Sequence, residues 1–201
     1  METGVAEVVE AESTVSARTR VELNHEVSLE TVAPVIEVLR IAEHGEVIFL
    51  HMRHNRGGDV LQLFALIRAI AETKATVKIS FGRYIMSAAA TLWLWFWLRP
   101  APHVEAVVPS KPAVIMYHRP RRMCGDGFYC FAEDFEEGNP VGESLKRQVE
   151  VFDTLFEELL HRIGWSTLTD AKVVSEGVTY QHELQHLKDA YYGNKDCVIP
   201  T

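Results

Sequence analysis

Between Glu46 and His118 the chain alternates strand-like and helix-like stretches. The apolar run EVIFLHM is followed at once by the turn NRGGD, and then by helical spacing from Val60 to Thr73, with Leu61, Leu63, Phe64, Leu66, Ile67 and Ile70 on one stripe. ATVKISF, a helix opening at Ser87 and the strand AVIMYH continue the series. A strand that is apolar along its whole length is buried on both faces, and strands separated by helix-length connections pair in parallel. This repetition predicts an α/β fold with a parallel sheet and crossover helices.

The flanks complete the outline. Residues 1–17 are acidic, rich in Val, Ala and Glu and without period, which predicts a mobile arm ahead of one folded unit over 18–201. Arg20 to Val27 alternates as a strand, and Leu29 to Ala42 carries Val32, Val35, Ile36, Val38 and Leu39 at helical spacing, closed by the turn His44-Gly45. After Pro120 a Gly- and acid-rich stretch without period, RRMCGDGFYCFAEDFEEGNPVGE, predicts a long loop or lid. A long amphipathic helix from Glu143 to Ile163 comes next, stopped by Gly164. A helix from Thr167 to Ser175, a short strand VTYQ, a helix HELQHLKDAYYG and a last strand DCVI finish the chain.

At 201 residues and 47% hydrophobic, the chain has room for one domain with a real core. The most apolar window, Ala88 to Leu98, has 11 residues, against the ~20 needed to cross a bilayer. It predicts a buried helix, with no membrane partner. A net charge of −8 leaves no broad basic surface for phosphates, which argues against nucleic acid. The three cysteines, Cys124, Cys130 and Cys197, form neither a CxxC pair nor an even set, and the start METGVAEVVEAE has no basic and apolar leader; a reducing, cytoplasmic setting is the expectation.

Three stretches could supply acyl-transfer chemistry, which needs an activated hydroxyl, a base and backbone N–H donors for the oxyanion. Gly57-Gly58 lies beyond a buried strand, where backbone amides can approach a carbonyl. Ser87 stands between a strand and an apolar helix, with the N–H of Ala88 beside it. His118 ends the next strand, and parallel strand ends share one edge of a sheet. Each has a plainer reading: a turn, an N-cap and a strand end. His51 and His54 flank the first strand end as further candidates, or as solvated histidines.

A second chemistry competes. His182-Glu183-Leu184-Gln185-His186 matches HExxH, in which two histidines on one helix face bind zinc and the glutamate activates water. Lys188 stands where such helices carry an apolar residue, and Asp189 and Asp196 are the only later carboxylates. An amphipathic helix with half-exposed histidines is the plain alternative.

The ordered series VIFLHM–NRGGDV, GRYIMSAAA, AVIMYHRP, the long helix and AYYGNKDCVI resembles the proteolytic subunit of Clp proteases and its phage relatives, over residues 18–199. The step of 29 residues from Gly58 to Ser87 is the family's own. The resemblance implies a ClpP/crotonase-like fold of stacked βαβ units with a protruding handle helix. It implies a serine endopeptidase with Ser87 as nucleophile, His118 as base and the amides of Gly58 and Ala88 as oxyanion hole. It further implies a homo-oligomeric ring that receives polypeptides from an ATP-driven unfoldase, with no cofactor. Asn55-Arg56 replace the family's Ser-Pro, and no Asp stands near the start of VTYQ, where its third catalytic residue falls. Glu176 is the nearest acid and Glu183 the second. A dyad oriented by a backbone carbonyl, or a catalytically silent ring subunit, stays open beside the triad.

Overall fold

The computed structural model describes the backbone of residues 18–125, 127–165 and 175–200, and side chains over the same residues except 175–180 and 200. The arm expected over 1–17 lies outside the described residues, as does most of the helix expected from Thr167 to Ser175.

The protein is α/β with a mixed, mostly parallel sheet of seven strands. Two long strands form its centre, β3 (Val47–Gly58) and β4 (Thr76–Met86). The strand expected from Arg20 to Val27 is broken into β1 (Arg18–Glu22) and β2 (His25–Val27), which run in parallel along the first and second parts of β3. Asn24 interrupts it: its side-chain carbonyl accepts from Arg53 N–H at 3.0 Å, and His25 takes a left-handed φ of 71°.

On the other side of the centre, β5 (Val104–Ala106) pairs with the start of β4 and β6 (Val114–Tyr117) with its end. The closing strand β9 (Cys197–Pro200) joins β6 antiparallel. The register of β3 and β4 slips between Met52 and His54, where Gly82 is so close to Arg53 that a Cβ would lie 2.6 Å from its carbonyl oxygen. NRGG, expected as a turn, continues β3, because its backbone finds partners in β2 and β4.

Helices α1 (Leu29–Ile41), α2 (Val60–Glu72) and α3 (Ser87–Leu98) follow their strands as expected. Asp59 caps α2 by accepting from Leu61 and Gln62 N–H at 2.7 and 3.3 Å. α3 is apolar all round and correspondingly buried, with Trp93 and Phe96 2% and 3% exposed. Burial of each such ring contributes about 1.5–3 kcal/mol.

Helix α4 starts at Pro140, three residues before the expected Glu143, and runs to Arg162. Asn139 caps it and Pro140 fills the first helical position, where a missing N–H costs nothing.

Three expectations for the C-terminal half are corrected. The long loop after Pro120 contains a hairpin, β7 (Arg122–Met123) and β8 (Tyr129–Cys130), and a 3-10 turn at Ala132–Asp134. Cys124 and Cys130 form a disulfide across that hairpin, where an odd cysteine count had suggested none; Cys197 stays free and buried. VTYQ is helical, inside α5 (Ser175–Tyr192). Val178, Thr179 and Tyr180 are strand-favouring types, but that preference depends on context, and the helix they join packs on α4 through Lys188–Glu157 at 2.9 Å and Tyr191 stacked on Phe156 at 3.8 Å. Among the described residues no helix is long and apolar enough to cross a membrane.

Candidate active site

The ends of β3, β4 and β6 bring the first constellation together. Asn55 pairs with Ile85 and Met86 with Met116, so Gly57 and Ser87, two residues beyond the first pair, and Tyr117, one beyond Met116, stand near one level of the sheet edge. Gly57 lies directly against the β4–α3 junction: a Cβ on it would fall 2.5 Å from Ser87 Cβ, 2.6 Å from Met86 O and 2.8 Å from Ala88 N. Its φ of 83° also belongs to glycine.

Ser87 itself has φ 51°, one of three non-glycine residues with positive φ among the described residues. A serine held there costs on the order of 1 kcal/mol or more, and persists because the structure around it fixes the turn. The turn throws the side chain out of the strand while the chain enters a helix, and the first N–H groups of that helix, Ala88's among them, have no intrahelical acceptor. Thr91 Oγ1 donates back to Ser87 O at 2.9 Å and closes the first turn.

The sequence reading named Gly57 but gave no role to Asn55, which helps to build this turn. Asn55 is fully buried, donates through Nδ2 to Leu23 O at 2.9 Å and accepts Gly57 N–H on Oδ1 at 2.9 Å. It ties the broken β1–β2 strand to the glycine behind Ser87. An Asn two residues before Gly-Gly is a turn signal that was present in the sequence. Gly57 N–H is taken by Asn55 and Asp59 N–H by Val27 O at 2.8 Å, which sets Gly58 between two anchored amides.

His118 follows β6, 7% exposed. Its neighbours pin it: Tyr117 Oη donates to Phe152 O at 3.1 Å, and Arg119 forks onto Asp153 at 2.9 and 2.6 Å. His118 Nδ1 lies 2.6 Å from Arg119 O. A carbonyl only accepts, so Nδ1 carries the proton and Nε2 offers the lone pair. Burial is the main influence on the ring and holds its pKa below the usual 6.5; the Arg119 carbonyl opposes this, the charge of Arg121 adds to it, and Asp196 opposes it. The ring is therefore neutral at pH 7. The hydrogen bonds among the described residues do not include one between Ser87 Oγ and this ring.

Asp196 is the acid that the structure brings electrostatically near His118, and it is engaged by Arg121 at 3.0 Å. Glu176 lies in the first turn of α5, and its side chain falls outside the described residues. Tyr191, fifteen residues later on that helix, stacks on Tyr117 at 5.7 Å. At ~1.5 Å of rise per residue, the backbone at 176 is roughly 22 Å further along the axis.

His182, Glu183 and His186 are exposed on α5, and no cluster of three His, Cys, Asp or Glu suited to a metal ion occurs among the described residues. His51 is in the middle of β3, not at a strand end, with Nδ1 3.0 Å from Ser80 Oγ on β4. This Ser–His hydrogen bond joins two strands and has no helix N-terminus beside its hydroxyl. His54 packs edge-on against His25, ring centroids 5.4 Å apart.

No protein-family model matches the chain, and no curated protein matches it.

Proposed function

We propose that this chain is a serine endopeptidase of the ClpP type, with the finer ClpP/crotonase-like arrangement of its α/β fold. The observation that carries the reading is Ser87, left-handed at the end of a parallel strand, with Gly57 packed behind it and a helix opening at its own position. Ser87 Oγ attacks the scissile carbonyl carbon as its proton passes to His118 Nε2. The oxyanion that forms is held by the N–H groups of Gly58 and Ala88. Collapse expels the amine, which takes the proton from His118, and water then releases the acyl group by the same steps in reverse order of partners.

Arg119 O supports a dyad, since it holds His118 in the productive tautomer without a carboxylate. It stabilises the imidazolium less than a carboxylate would, and the nearby charge of Asp196 makes up part of that difference. Glu176 as a third catalytic residue is the weaker alternative on the same scheme. The proposal extends to a homo-oligomeric ring fed with polypeptides by an ATP-driven unfoldase; the Cys124–Cys130 disulfide stands against the reducing cytoplasm that the cysteine count suggested.

A fluorophosphonate tests the reading directly. Ser87 should be the one serine labelled, with labelling lost in Ser87→Ala; labelling that survives this change, or maps to Ser80, overturns it. An unlabelled wild-type chain that nevertheless assembles well above 22.8 kDa would make this a silent ring subunit.

A further inference from the structure

Beside Gly58 a cleft of about 480 Å³ runs between the start of α2, the start of α4 and the β7–β8 hairpin. Ser87 and His118 do not line it, but Gly58 does. Val60, Leu61, Val141 and Leu145 make apolar walls, and Arg121 and Arg122 stand on the hairpin side.

The charges in this cleft are unequally committed. Arg121 is paired with Asp196 at 3.0 Å and lies over the Tyr129 ring at 4.0 Å. Asp59, the one carboxylate of the lining, accepts from two N–H groups at the start of α2. Arg122 is exposed and has no ion pair among the described residues. Of the two helices that open onto the cleft, the 13-residue α2 has its positive end met by the Asp59 carboxylate, whereas the 23-residue α4 is capped by the neutral Asn139 side chain and presents its positive end. An incoming carboxylate therefore meets one uncommitted guanidinium, which can grip it with two parallel hydrogen bonds, beside apolar walls that weaken competition from water.

We propose that this cleft binds the polypeptide substrate next to the scissile bond and selects segments in which an acidic side chain lies among apolar ones. The proposal rests on the peptidase reading for the word substrate, but the binding preference stands on the cleft alone. The hairpin that carries Arg122 is closed by Cys124–Cys130, so the selecting cation sits on a covalently braced wall.

The test uses the full chain as Ser87→Ala, with fluorescein-labelled hexapeptides of leucine and glycine that differ only in a central glutamate or lysine, followed by fluorescence anisotropy. The glutamate peptide should bind about tenfold more tightly at low salt, and Arg122→Glu should reverse the order. Equal affinities for the two peptides, or an order unchanged by Arg122→Glu, overturn the assignment. Because binding is read without cleavage, a chain that fails fluorophosphonate labelling yet keeps the glutamate preference would lose the peptidase reading and keep this site.

Discussion

Gly57 packs so closely on Ser87 that a single carbon added to it would lie 2.5 Å from the Cβ of Ser87. The same carbon would also meet Met86 O and Ala88 N, which are backbone atoms and cannot swing aside. Gly57→Ala should therefore lose roughly 2–4 kcal/mol in urea unfolding, from overpacking and from a left-handed φ together. It should also abolish fluorophosphonate labelling at Ser87, since the chain can relieve the clash only by moving the turn. Gly45→Ala has a similar φ of 89° and nothing within 4 Å of its Cβ, so it serves as the control and should cost only about 1–2 kcal/mol.

The left-handed backbone at Ser87 makes a second prediction. Alanine normally outperforms glycine at a helix position, but at φ 51° the Cβ is the source of the strain. Ser87→Gly should be more stable than Ser87→Ala by about 1 kcal/mol, measured as paired urea midpoints at equal m-value. An alanine variant as stable as the glycine variant would show that the turn relaxes once the hydroxyl is gone.

His118 sets the pH dependence. Burial disfavours the charged ring, so its folded pKa lies below 6.5. The acid limb of kcat/KM should accordingly fall below pH 6.5, with activity flat from there through neutrality. For stability the sign follows from proton uptake. Below pH 6.5 the unfolded chain binds a proton at this position that the folded chain does not, so stability drops as pH falls from 6.5 to the folded pKa, and levels off below it. His118→Gln should flatten that part of the stability profile in calorimetric scans.

Thiol counting checks the hairpin. With one disulfide and a buried free cysteine whose pKa is pushed up to about 11 by burial and by Asp196, the folded chain should react slowly with a thiol reagent. Unfolded without reductant it should show one thiol, and three after reduction. Three thiols before reduction would mean that Cys124 and Cys130 are not joined.

The order of the elements and the junctions that hold Ser87 and His118 were legible in the sequence. Hydrophobic period distinguishes a buried strand such as Val47–Met52 from an amphipathic helix such as Leu29–Ile41 without any tertiary information. α5 was not legible at its start, because Val178 to Tyr180 are strand-favouring types standing in a helix whose later turns are held on α4. The length of β3 was not legible either: Asn55, Arg56 and the two glycines read as a turn, and become strand only because β2 and β4 supply hydrogen-bond partners. The same limit applies to the site. The sequence by itself placed Ser87 and His118 at the ends of successive parallel strands, which share one edge of a sheet; that β3, β4 and β6 are neighbours is a property of the tertiary structure. Only the tertiary structure decided that Ser87 is left-handed, that Gly57 and Asn55 build the wall behind it, that Arg119 O sets the tautomer of His118, and that Arg122 faces a cleft. Some of these contacts join segments tens of residues apart, as Gly57 with Ser87 and Asn55 with Leu23 do; others join neighbours, as His118 with Arg119 O, but their geometry depends on the burial that the packed whole imposes.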